Sequence, residues 1–115
     1  MEISEMTENV DISSNAQLTE LPAFSTLIHI DGNLLIENNP LLESVDGLET
    51  LTGVGSLYIE YNDALTSISG LSAFESVGSR LYIRDNPALC ASDVSTFVAG
   101  VTVGSTTSTV DNAGC

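Results

Sequence analysis

The stretch Leu57-Tyr58-Ile59-Glu60-Tyr61-Asn62-Asp63-Ala64-Leu65 decides the fold, because it recurs. Leu34-Leu35-Ile36-Glu37-Asn38-Asn39-Pro40-Leu41-Leu42 matches it 23 residues earlier, and Leu81-Tyr82-Ile83-Arg84-Asp85-Asn86-Pro87-Ala88-Leu89 matches it 24 residues later. Upstream, Val10-Asp11-Ile12-Ser13-Ser14-Asn15-Ala16-Gln17-Leu18 fits the same frame. The shared pattern is Φ-x-Φ-x-x-Asn-x-x-Leu, with Φ apolar. Outward from it, Leu18, Leu42 and Leu65 are followed by Leu21, Val45 and Ile68, then by Phe24, Leu48 and Leu71. Leu27, Leu51 and Phe74 come next, and then Ile30, Val54 and Val77. Self-similarity at a fixed period of this length marks a solenoid.

One coil of about 24 residues cannot bury its own apolar face, whereas stacked coils can. The alternation Leu57-x-Ile59 reads as a short strand with one face inward, stacked on its neighbours as a parallel sheet with a spacing of about 4.8 Å. No continuous helical stripe runs through the repeats, which disfavours a helical solenoid. The expected fold is mainly β: a right-handed parallel β-solenoid of ~24-residue leucine-rich-like coils, with a short C-terminal helix and a disulfide-closed cap. Leu34, Ile36, Leu57, Ile59, Leu81 and Ile83 are expected inside. Asn15, Asn39, Asn62 and Asn86 fall just after each strand, where inward-facing amides can bond the backbone of the turn and stack as a ladder.

The chain has 115 residues, enough for one domain. It carries 16 acidic residues against 2 arginines, a formal net charge of −14, yet is 43% hydrophobic and only 16% charged. That composition suits a packed acidic domain and not a disordered tail. A chain of this charge with no basic patch repels phosphate, which argues against nucleic acid as a partner. No apolar run reaches the ~18 residues of a membrane span, so direct membrane insertion is not expected.

The Leu-x-Leu-x-x-Asn core resembles leucine-rich repeats, with two residues instead of one between Asn and the next Leu. Val54-Gly55-Ser56-Leu57-Tyr58-Ile59 and Val77-Gly78-Ser79-Arg80-Leu81-Tyr82-Ile83, with Asn-Pro-x-Leu and Gly-Leu pairs, resemble receptor L-domains more closely. Those are the ligand-binding β-helices of epidermal growth factor and insulin receptors, and similar repeats occur in fungal cell-wall and bacterial surface proteins. The resemblance covers roughly residues 10–115. It implies the solenoid fold and an extracellular or cell-surface setting, and it transfers no ligand.

One solenoid domain is expected over residues 1–115: a partial coil over 1–9, repeats over 10–89 and a cap over 90–115, as a piece of a longer surface protein. Ile3 and Met6 align with Leu27 and Ile30. No polar cap precedes Val10, which leaves room for a stacking partner at an open N-terminal end. At the other end, Ser92-Asp93 followed by Val94, Phe97 and Val98 predicts a short amphipathic helix with a cap at Ser92, ending at Gly100. Val101-Thr102-Val103 and Thr107-Ser108-Thr109-Val110 supply a last irregular coil, and Asn112 closes the asparagine series at a longer offset. Cys90 and Cys115 lie 25 apart, about one coil, so they should stack and pair, which also points to an oxidising compartment.

Little reactive chemistry is legible. His29 reads as a satisfied or solvated histidine, with Ser25 and Asp31 poor partners for a triad. No catalytic, metal or cofactor motif is found: there is no phosphate-binding glycine loop, no EF-hand and no zinc-ligand spacing. Asp31-Gly32-Asn33 reads as a turn. The outward strand positions form two columns, Asp11–Leu35–Tyr58–Tyr82 and Ser13–Glu37–Glu60–Arg84, with Glu60 and Arg84 a weak surface ion pair. Exposed neighbouring tyrosines suit protein or glycan recognition, which makes Leu35, Tyr58, Glu60, Tyr82 and Arg84 the candidate contacts. Two functions follow: a recognition or adhesion module binding protein or glycan through this face, or a passive spacer of an envelope or wall protein.

Overall fold

The computed structural model describes residues 5–21, 24 and 26–115. The elements are β1 (Glu5–Met6), β2 (Val10–Ser13), β3 (His29–Glu37), β4 (Gly53–Glu60), β5 (Ser76–Val77), β6 (Leu81–Arg84), α1 (Ala91–Ala99), β7 (Thr102–Val103) and β8 (Thr107–Ser108). All pair in parallel within one sheet. The fold is therefore the parallel β-solenoid that the repeats predict.

Register follows the repeat. Leu34 pairs with Leu57 and Leu57 with Leu81, while Ile36 pairs with Ile59 and Ile59 with Ile83. All six are fully buried, as are Leu42, Leu65 and Leu89 beyond the turn. Alternation aims every second side chain inward, and in-register stacking sets like upon like, so each rung closes the space above the last. Met6 pairs through its backbone with Ile30, as its alignment predicts; Ile3 lies outside the described residues.

A left-handed residue directly follows β2, β3, β4 and β6, at Ser14, Asn38, Tyr61 and Asp85, and a fifth, Asp111, stands beyond β8, with φ between 56° and 61°. The ladder asparagine follows at once. Asn39 Nδ2 donates to Ile12 O, Asn62 Nδ2 to Ile36 O and Asn86 Nδ2 to Ile59 O, each at 2.9 Å. Each Oδ1 accepts from the backbone N–H and the amide of the previous asparagine: Asn62 Oδ1 from Asn39, Asn86 Oδ1 from Asn62. Asn112 continues the column, accepting from Asn86 and donating to Ile83 O at 2.7 Å. Asn39, Asn62 and Asn86 are fully buried, whereas Asn15, with no described coil stacked outside it, is exposed. The two-residue gap before the next leucine also has a cause. Leu42 N–H donates to Asn39 O and Leu65 N–H to Asn62 O, which closes a turn of that length.

Two local expectations change. Asp31-Gly32-Asn33 is a bulged corner inside β3, with the register shifting between Ile30 and Asn33. The chain runs on because the coils touch there: a Cβ on Gly32 would meet the Glu8 backbone at 2.6 Å, and one on Gly55 the Asp31 carbonyl at 2.6 Å. Helix α1 is capped at Cys90 and not at Ser92, with no side-chain cap bond. The C-terminal segment replaces the cap, since Ala91 N–H donates to Ala113 O and Ser92 N–H to Cys115 O, both at 2.9 Å. The Cys90–Cys115 disulfide fastens that segment beneath the helix.

Replacing Asn62 with Ala should cost about 1–3 kcal/mol in a urea titration, because Ile36 O and Asn39 N–H lose buried partners. Replacing both cysteines with Ala should cost about 3 kcal/mol for a closed loop of this length, read in the same titration.

Candidate recognition surface

Strands β2, β3, β4 and β6 set their outward side chains in register. Asp11 pairs with Leu35, Leu35 with Tyr58 and Tyr58 with Tyr82; beside them Ser13 pairs with Glu37, Glu37 with Glu60 and Glu60 with Arg84. Leu35, Tyr58, Tyr82 and Arg84 are half-buried on this face. Tyr58 and Tyr82 meet edge to face with ring centroids 5.4 Å apart, the geometry their quadrupoles favour. The Arg84 guanidinium lies 4.3 Å from the Tyr82 ring centroid and covers one face of it.

Glu60 is only 5% exposed, so it is not the exposed contact that alternation alone predicts, and the pair it makes is no surface ion pair. Its Oε2 accepts from Arg84 Nε at 3.0 Å and from Nη2 at 2.7 Å. The cause is stacking. Glu60 stands in the middle coil between Glu37 and Arg84, and the long side chains on either side exclude water from it. Glu60 therefore supports the face. It fixes the guanidinium, which in turn lies over Tyr82.

The carboxyl-bearing Glu37 stands next to Glu60 in the register of β3 and β4. Burial raises its pKa, and the Glu60 hydrogen bond and the charges of Glu60 and Asp11 raise it further, against a smaller lowering by Arg84. Hydrogen bonds to Glu60 first, with its charge, hold Arg84 above the ordinary guanidinium value, so it stays a cation. On the β2 coil, Ser13 Oγ donates to Asp11 Oδ1.

His29 pairs with Asp31 at 2.9 Å between exposed side chains, well along β3 from the tyrosines; Ser25 lies outside the described residues. Among the described residues no group of three or more His, Cys, Asp or Glu could hold a metal, and no helix is long and apolar enough to cross a membrane. One feature of the surface escaped the repeat pattern. Tyr61, on the left-handed turn next to this face, is 51% exposed and lies within electrostatic range of Arg84. Its signal was present, since an aromatic residue stands where the neighbouring coils carry Asn38 and Asp85.

A family model described as the receptor L domain matches residues 2–98, which span β1 to β6 and most of α1. No curated protein and no solved structure matches the chain.

Glu37 yields a pH prediction. Its folded pKa lies above its unfolded one, so the folded state holds the proton more tightly. That contribution is complete below the unfolded value near 4.5 and is lost as pH rises through the raised folded value. Glu37→Gln should therefore raise the urea midpoint at pH 7 and leave it nearly unchanged at pH 4. An equal shift at both pH values would show that the carboxyl pair carries no such linkage.

Proposed function

The chain belongs to the receptor L-domain family of non-catalytic, receptor-type ligand-binding modules, and on that premise we propose that it recognises a protein or glycan outside the cell through the Tyr58/Tyr82 face. The observation that carries the reading is the order of that face. Tyr58 and Tyr82 lock edge to face, and Arg84 is fixed by Glu60 and stacked on Tyr82. Side chains already held in place lose little entropy on binding. Tyrosine offers apolar area with a hydroxyl at its tip, which suits either class of partner. Leu35 adds apolar surface on the same column. Within this reading Leu35, Tyr58, Tyr82 and Arg84 are contacts, and Glu60 positions Arg84.

An extracellular setting is supported by the family and by the Cys90–Cys115 disulfide, which persists in oxidising compartments. The competing role is a passive spacer. It shares the solenoid and assigns the tyrosines to cross-strand stabilisation alone.

The two roles separate in the double variant Tyr58→Ser, Tyr82→Ser. Labelled protein is titrated onto immobilised wall polysaccharides and onto arrays of extracellular proteins, with melting temperature measured in parallel. A recognition face predicts binding weakened at least tenfold with a modest fall in melting temperature. Unchanged binding with a large fall would leave the tyrosines a purely structural pair.

A further inference from the structure

Tyr61 sits where a bulky side chain is disfavoured. Its φ is 58°, in the left-handed region where Cβ crowds the following carbonyl. Three of the four equivalent turns answer that constraint with Asn38, Asp85 or Asp111, residue types that tolerate it. The strain at Tyr61 is offset by no specific side-chain bond. Its hydroxyl makes no hydrogen bond and its ring no aromatic pairing among the described residues, unlike Tyr58 with Tyr82, and the side chain is half exposed. Strain held without structural benefit points to a role outside the fold.

The surroundings say what role. Tyr61 forms, with Asn38, Pro40 and Asp63, an open cleft of about 400 Å³. The four make a two-by-two grid: Asn38 precedes Tyr61 by one coil at the turn, and Pro40 precedes Asp63 by one coil two residues on. One diagonal of the grid, Tyr61 and Pro40, supplies a flat aromatic ring and a rigid pyrrolidine. The other supplies an amide that both donates and accepts, and a carboxylate that accepts from paired hydroxyls. An aromatic platform flanked by hydrogen-bonding groups around one cleft fits a pyranose ring, whose C–H face is apolar and whose rim carries hydroxyls. Asp63, with Asp85 on the next turn and a chain charge of −14, repels uronic, sialic and phosphorylated sugars.

We infer that Tyr61, Asn38, Pro40 and Asp63 form a subsite for a neutral pyranose of an extracellular glycan, continuous with the Tyr58/Tyr82 face around the corner of the coil. The inference rests on the recognition reading above and narrows its partner to a saccharide. Tyr61 is the platform, and Asp63 and Asn38 orient the ring through its hydroxyls.

The test uses the whole chain with cellohexaose, chitohexaose and mannohexaose as probes and an oligogalacturonate as the charged control, followed by calorimetry. At least one neutral hexasaccharide should bind and the oligogalacturonate should not. Tyr61→Asn should weaken binding roughly tenfold, the size of one aromatic contact, while melting temperature rises by roughly 3–5 °C as the turn is relieved. Tyr61→Phe should retain binding, and Asp63→Ala should lose it without a change in melting temperature. A Tyr61→Asn protein that binds as tightly as the parent overturns the subsite. If the Tyr58→Ser, Tyr82→Ser protein then loses binding, the face itself still stands. Failure of every neutral probe, with a protein ligand captured instead, overturns the saccharide assignment and leaves the broader recognition role intact.

Discussion

The hydrogen bonds of the buried asparagine column are the constraint on which the rest of the solenoid depends. At the end of each strand the chain must turn inside a stack that admits no water. The turn strands polar groups that sheet pairing cannot reach: the strand's own carbonyl near its end and the N–H of the turn residue. The asparagine amide satisfies both across coils, donating to Ile36 O from Asn62 and accepting from the Asn39 N–H. No buried side-chain polar atom is left without a partner among the described residues. The amide can do this only at a fixed spacing, so the column also sets the register of the rungs. Once Asn62 lies over Asn86, Leu57 must lie over Leu81 and Tyr58 over Tyr82.

In-register stacking then governs the outer surface by the same rule. Each exposed side chain has as its nearest neighbours the residues one coil away and not those beside it in sequence. This is why the face is ordered: Tyr58 touches Tyr82, and Arg84 reaches both Tyr82 and Glu60. It also explains which parts were legible from the chain. The repeat offset revealed the fold, the inward rungs, the asparagine column and the stacked cysteines, because each depends only on which residues share a position. Burial of Glu60 was not legible. Alternation marks its position as outward, and only the lengths of Glu37 and Arg84 on either side close it from water.

The helix cap and the corner at Gly32 were illegible for a related reason. Local signals at Ser92 and at Asp31-Gly32-Asn33 name a cap and a turn, and each is a sound reading of a short peptide. Tertiary partners override both. The Ala113 and Cys115 carbonyls take the first helical N–H groups, and Asn9 Oδ1 accepts from Asn33 N–H at 2.8 Å, which carries the strand through its bulge. In a solenoid a local motif describes what a residue can do, and the adjacent coil decides what it does.

Charge shows the same logic and bears on what the face can recognise. A chain with net charge −14 built from repeats risks stacking acid upon acid in every column. Most columns avoid it. The backbone of Glu43 is bonded between Thr19 and Thr66, and that of Glu75 between Thr52 and Thr102. Glu37 over Glu60 is a place where this spacing fails, and one of the two arginines of the chain stands beside it. Arg84 thus has a structural task before any ligand arrives: its charge is matched by Glu60, and its plane lies against Tyr82. The face that results presents aromatic rings, hydroxyls and a neutralised guanidinium, with no net positive charge to draw an anion. Under the proposed recognition role, selectivity comes from the shape and hydrogen bonding of the partner, because the one cation of this face is already bound to Glu60.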